Sequence, residues 1–303
     1  MDTAKFPMRF FLLYMLYYSG QAIYSVYFNL YLSNIGFTNT MIGLLGSLST
    51  LLILIAQPFW GIMSDRAKKK NTILKILFLL SAVAALMYYG STNYAYVLII
   101  GMIFSMVFST IVPLKDNITL EHLTGKKWDF GQIRMGGTLG YAITVVLTGV
   151  FIKSQYSQIF WIISLFMLLC FTLMFMIPPV AGYRSGIEKA PFSSIIKNKM
   201  FMCLIAFNLA YSMGTSFFYS FYPIYFESIG GDSSYIGILM FSCAIAEIPF
   251  LLLIDKILEK FGIIKLLVAA ALVSSLRWFL MYVLTNPILI ILTNLLHGFS
   301  FSS

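Results

Sequence analysis

The feature that most limits what this chain can become is its succession of long apolar runs. Ten of them recur, at about 6–33, 40–63, 72–90, 94–114, 135–152, 158–178, 200–226, 235–254, 264–284 and 287–303, with polar connectors between them. A bilayer core about 30 Å thick is crossed by about 20 apolar residues in helical form. Inside lipid the backbone must satisfy its own hydrogen bonds, which a helix does within one segment. Ten such runs therefore predict an all-α membrane protein. Composition agrees: 10% of the residues are charged and 60% hydrophobic, where a soluble domain carries about 25% charged residues. The first run, from Phe6, is too long for the core of a signal peptide, and no small-residue cleavage site follows it. It reads as an uncleaved membrane helix.

The net charge of +9 does not imply a nucleic-acid partner, because the charges sit in short connectors rather than on one face. The amino end holds two basic residues (Lys5, Arg9). Alternate connectors then hold five (Arg66, Lys68, Lys69, Lys70, Lys75), four (Lys115, Lys126, Lys127, Arg134), four (Arg184, Lys189, Lys197, Lys199) and three (Lys256, Lys260, Lys265). Those eighteen of twenty fall on one side, with Lys153 on the other and Arg277 inside a helix. Lysine and arginine accumulate on the cytoplasmic side, so a multi-pass cell-membrane protein with a cytoplasmic amino end is expected. Cys170, Cys203 and Cys243 are isolated in apolar segments and read as small hydrophobes rather than disulfide or metal partners. The two histidines stand 175 residues apart, and no phosphate loop, metal cluster or nucleophilic triad accompanies them. No enzyme chemistry, metal or cofactor is expected.

The chain also repeats itself. YLSNIGFTNTMIG from Tyr31 and YFESIGGDSSYIG from Tyr225 share tyrosine, Ile-Gly and Ile-Gly at an offset of 194. Pro58-Phe59 is echoed by Pro249-Phe250 after a three-residue slip, and Asp65 by Asp255. The first three helices thus resemble the seventh to ninth. The polar stretch at 179–199 separates the copies, giving a six-helix bundle at 1–178, a linker at 179–199 and a second, incomplete bundle at 200–303. A six-helix unit duplicated in parallel resembles the major facilitator transporters. That fold has twelve helices, so the sequence is expected to be partial or a truncated product.

GIMSDRAKKK, with Gly61, Asp65 and Arg66, resembles the loop signature between the second and third helices of that superfamily, although Lys68 stands where glycine is usual. The resemblance implies a gating loop, in which Gly61 allows close helix approach and Asp65 caps backbone amides. DFGQIRMGGTLGYA resembles the fifth helix of the lactose-permease group, which includes phenylpropionate and nucleoside symporters. It implies a substrate site at Asp116, Arg134 and Tyr141: a guanidinium and a carboxylate for polar groups, and a ring for an apolar face. Read without the resemblance, Asp116 is a loop ion pair with Lys115 and Arg134 a cytoplasmic anchor. Gly136 and Gly140, four apart, read as a packing face. Gln21, Asn29 and Asn208 read as cavity residues or interhelical glue.

Arg277 lies in the apolar run LLVAAALVSSLRWFLMYV, where an arginine costs about 2.5–3.5 kcal/mol on insertion scales. Arg277 and His297 have the twenty-residue spacing of a helix-nine arginine and helix-ten histidine in lactose permease. Ser300 stands where that permease has its coupling glutamate, which leaves Glu247 as the deep carboxylate of the second half. The resemblance implies a proton-coupling network in which Arg277 pairs with Glu247 and His297 bonds nearby. A static pair locking two helices is the alternative.

The expectation is a secondary transporter of a small organic solute (a sugar, nucleoside or aromatic acid), working by proton symport with alternating access. The proton is the coupling ion, lipid the surroundings, and the complete protein a monomer. A non-transporting sensor or scaffold, or an inactive remnant, is the alternative.

Overall fold

The computed structural model describes residues 6–152, 155–182, 199–230 and 233–301. Among them the regular elements are helical. α1 is Met8–Asn34, α2 Asn39–Arg66, α3 Lys70–Met87, α4 Tyr94–Phe108, α5 Ile111–Leu123 and α6 Phe130–Ile152. After a 3-10 turn at Tyr156–Gln158 come α7 Ile159–Leu173, α8 Lys199–Ser228, α9 Ser233–Phe261, α10 Ile263–Val283 and α11 Pro287–Thr293. A second 3-10 turn, Asn294–Leu296, leads into α12, His297–Phe301. Among the described residues, seven helical segments are long and apolar enough to cross a membrane.

The short helices are halves of broken spans. α4 and α5 form one segment, Tyr94–Leu123, interrupted at Ser109–Thr110. There Thr110 Oγ1 donates to Met106 O at 3.0 Å, and Pro113, near the start of α5, has no N–H to continue the ladder. α11 starts with Pro287 in its first turn, and the Asn286 side chain accepts from Ile288 N at 2.9 Å, a capped, proline-led start.

The repeat is visible in the backbone. The turn after α1 holds Gly36 at φ 92° and the turn after α8 holds Gly230 at φ 94°, both in the left-handed region that favours glycine. Gly36 N donates to Ser33 O at 3.0 Å, and Gly230 N donates to Glu227 O at 3.1 Å. The preceding amides also match: Ile35 N bonds Tyr31 O at 3.0 Å and Ile229 N bonds Tyr225 O at 3.2 Å. α2 and α9 follow, each carrying an internal proline, Pro58 and Pro249.

α6 is packed between α1 of its own half and α9 of the other. Gly136 and Gly140 make the first contact possible, as a Cβ at either would run into the backbone carbonyls of Phe11 and Met15. Tyr27 OH donates to Val145 O at 2.8 Å on the same seam. On the other side Gly237 of α9 lies against the Val145 carbonyl. The halves are further joined by Asn29 Nδ2 donating to Ser220 O at 2.8 Å and Tyr156 OH donating to Glu227 Oε1 at 2.9 Å. These contacts gather toward the end where α1, α6 and α8 finish.

Several expectations change. α5 runs on to Leu123 and α6 starts at Phe130, so Lys115, Asp116 and Arg134 lie on helices, not in a connector. Lys115 and Lys70 are buried, and Arg134 lines a cavity, so these three are not cytoplasmic surface anchors. The reason is tertiary: the buried ammonium groups have partners on other helices or rings. Lys70 Nζ donates to Asn117 Oδ1 at 2.8 Å and Glu121 Oε1 at 2.6 Å. Asp65 is exposed and meets Lys70 at 3.5 Å; among the described residues it caps no amide. A Cβ on Gly61 would meet nothing within 4 Å, so no helix approaches it closely. Arg66 ends α2, exposed. Asn71 stitches the start of the linker to α3, bonding Pro178 O at 3.1 Å and Val180 N at 2.9 Å. Most of the expected linker, 183–198, lies outside the described residues.

Candidate functional site

A cavity of about 440 Å³ opens between the two halves. α1 contributes Tyr18, Gln21 and Ser25, and α6 contributes Arg134, Gly137, Thr138 and Tyr141. From the other half come Tyr219 of α8 and Met240, Cys243, Ala244 and Glu247 of α9. The helical period explains the walls: 134, 137, 138 and 141 share one face of α6, and 240, 243, 244 and 247 one face of α9. Glu247 stands at the middle of the 29-residue α9.

The structure brings Arg134 and Tyr141 together on one wall. Arg134 is exposed in the cavity, and among the described residues its side chain has no hydrogen-bond or ion-pair partner. Tyr141 OH lies 3.5 Å from Ser25 Oγ. The Gln21 side-chain oxygen is buried and unpartnered among the described residues, facing a cavity that could satisfy it. Asn29 is spent on the Ser220 carbonyl, and Asn208 is exposed, accepting from Ser212 Oγ at 2.9 Å.

Asp116 does not join Arg134. Its Oδ1 accepts from Tyr14 OH at 2.6 Å and from Lys115 Nζ at 2.8 Å. The Lys115 ammonium is fully buried and sits 3.2 Å from the Tyr14 ring centroid, 4.9 Å from that of Tyr18 and 5.5 Å from that of Tyr17. A desolvated cation over aromatic faces gains about 2 kcal/mol or more. Stripping one partner from a buried ion pair costs about 3–5 kcal/mol, whereas an exposed pair is worth about 0–1 kcal/mol. Those magnitudes decide which cation keeps the carboxylate. Sequence reading missed this cage, although Tyr14, Tyr17 and Tyr18 share one helical face and were the available signal.

In the second half, Arg277 is buried, with 1% of its surface exposed. Its guanidinium bonds His297 Nδ1 and lies 4.9 Å from the Phe218 ring centroid. His297 Nε2 is 3.4 Å from Glu247 Oε1 and 3.1 Å from Tyr219 OH. The expected direct Arg277–Glu247 pair is thus replaced by a chain in which His297 stands between them. Packing explains it: α12 presses on α9 at Gly298, where a Cβ would overlap the Ala246 carbonyl, and this sets His297 beside Glu247. Arginine only donates, so Nδ1 accepts and a neutral His297 carries its proton on Nε2, toward the carboxylate. Beside this chain Cys243 Sγ lies 3.2 Å from Asn294 Oδ1. Tyr18 lies within electrostatic reach of Arg134, Asp116 and Glu247 together.

A sequence profile of the MFS_1 like family matches residues 8–303. The chain is similar to the maltose permease of Geobacillus stearothermophilus, 26% identical over 298 residues, which span 97% of this chain and 75% of that one. It is also similar to a probable 3-phenylpropionic acid transporter of Escherichia coli (strain K12), 24% identical over 298 residues, spanning 95% and 77%. The crystal structure of a mutant of the nucleoside transporter NupG matches in fold with a TM-score of 0.85, at 16% identity, covering 97% of this chain and 79% of that one.

Proposed function

The chain belongs to the MFS_1 like family of major facilitator transporters, a multi-pass membrane protein, and on that premise we propose that it moves a small organic solute by proton symport. One observation carries this reading: a single cavity has Arg134 and Tyr141 on one half and, on the other, a mid-helix glutamate wired to a buried histidine and arginine. Solute binds between the halves, Arg134 holding its polar group and Tyr141 packing on its apolar face. Asp116, turned toward Lys115, stands behind that wall. The halves rock about their shared seam to alternate access.

Glu247 carries the proton. As a carboxylate it accepts from His297 Nε2; once protonated it loses the charge that holds this contact, and α9 is freed relative to α12. Ionisable groups within the membrane are rare and commonly mark proton pathways. The names of the relatives, a sugar permease and a transporter of an aromatic acid, support a solute of that size, with a nucleoside as the third class. The amino end is proposed to be cytoplasmic, since fifteen of the basic residues still fall on that side once Lys70, Lys115 and Arg134 are set apart.

The test is transport in proteoliposomes with an imposed proton gradient. Glu247→Gln should abolish uphill uptake while leaving counterflow at or near the wild-type rate, and Arg134→Ala should reduce both at least about tenfold, the equivalent of 1.4 kcal/mol. Uphill uptake by the glutamine variant would sink the coupling role, and normal transport by the alanine variant would sink the binding site.

A further inference from the structure

Two cations lie within electrostatic range of each other, Arg134 on the cavity wall and Lys115 behind it, and the carboxylate of Asp116 is bonded to the second. Lys115 is buried in the cage of Tyr14, Tyr17 and Tyr18 with its Nζ 2.8 Å from Asp116 Oδ1. Arg134 is exposed, lies within electrostatic range of Lys115, and has no side-chain partner among the described residues. We infer that Lys115 is a positioning residue that keeps Asp116 out of the cavity, so that Arg134 is left unpaired and the solute carries a carboxylate. The inference rests on the binding role proposed for Arg134 and names the class of solute.

The physical argument is a competition. A buried ammonium without a counter-charge is far more costly than a solvated guanidinium without one, so the carboxylate stays with Lys115. Tyr14 OH, donating to the same oxygen at 2.6 Å, holds it there. A free guanidinium in a semi-enclosed cavity binds a planar carboxylate in a bidentate fork. A neutral hydroxylated solute would be better served by an arginine and aspartate acting together. Glu247 lines the same cavity and lies within electrostatic range of Tyr141 on α6, but its carboxylate is engaged by His297 on the second half, which offsets its charge toward an anion held at Arg134. Tyr18 and Tyr141 beside Arg134 offer faces for an apolar ring, so a ring acid fits the wall.

Arginine-selective labelling tests this without knowing the natural solute. The full chain in lipid nanodiscs is treated with phenylglyoxal, and modification of Arg134 is followed by peptide mass spectrometry. Wild type is expected to label readily. Millimolar 3-phenylpropionate should slow labelling at least about fivefold, while its uncharged amide and maltose should not. Lys115→Met frees Asp116 to pair with Arg134 and should slow labelling about fivefold without any ligand; Lys115→Met/Asp116→Asn should restore both the labelling and the protection by carboxylate. Protection by the amide or maltose equal to that by the acid, or protection by none of the three, overturns the anionic class. Unchanged labelling in Lys115→Met overturns the positioning role. If that variant does not fold, the double variant decides alone, since lost protection there would mean that Asp116 touches the ligand. Failure of the binding reading itself is separate: it shows as normal transport by Arg134→Ala.

Discussion

At the scale of single residues, glycines at helix contacts and buried polar side chains set what this molecule tolerates. Gly140 faces the Met15 carbonyl across the α1–α6 seam, so a side chain there must push two helix backbones apart. Gly140→Val is expected to cost about 1–3 kcal/mol, the usual range for overpacking, and to lower the thermal midpoint in detergent. Gly61→Val, where a Cβ meets open space, should leave the midpoint nearly unchanged; an equal drop in both would refute the packing assignment. The charges show what sequence could and could not tell. Arg277 and His297 were legible because their partners lie on neighbouring spans at a spacing known from the resemblance. The pairing of Lys115 with Asp116 was also legible, but its place on a buried helix was not, because the tyrosine cage around the ammonium comes from α1, about a hundred residues earlier in the chain.

At the scale of elements, some helices outrun their apolar stretches. Hydropathy stops α4–α5 near residue 114, yet the helix continues to Leu123, because Lys115 and Glu121 find partners inside the bundle. Run lengths alone cannot report that. The turns that end α1 and α8 were legible, since an Ile-Gly pair at matched positions marks the same left-handed stop. A Cβ at Gly36 or Gly230 would meet no neighbour, so the cost of replacing either is conformational alone. Gly36→Val and Gly230→Val should each destabilise by about 1–2 kcal/mol, or more for the β-branched side chain. Gly36→Asn and Gly230→Asn should cost much less, because asparagine tolerates this region. Chemical denaturation of the four variants checks this, and equal losses for asparagine and valine would argue against it.

At the scale of the whole molecule, polar contacts between the halves, among the described residues, gather toward one end. Tyr156 OH donating to Glu227 is one of them. Tyr156→Phe removes about 1 kcal/mol, which shifts a two-state balance roughly fivefold. Spin labels on Ser157→Cys and Ser228→Cys, in a cysteine-free background, should show a larger population of long distances in the variant. An unchanged distribution would place the control of that end elsewhere. The parallel duplication behind this arrangement was legible from eight matched positions. The cavity was only partly so: Arg134, Tyr141 and Glu247 could be named, but Tyr18, Ser25 and Tyr219 enter it through the packing of α1 and α8.

Cys243 has a consequence of another kind. Its thiol lies on the cavity wall next to Glu247 and against Asn294, while Cys170 is buried elsewhere and Cys203 is on the exposed outer surface. A soft metal such as mercury, or a small alkylating poison that follows the solute inward, would meet this sulfur where both halves must pass. The same residue that packs as a plain hydrophobe is thus the thiol that such a reagent would reach from the cavity, and its burial makes it slow to react.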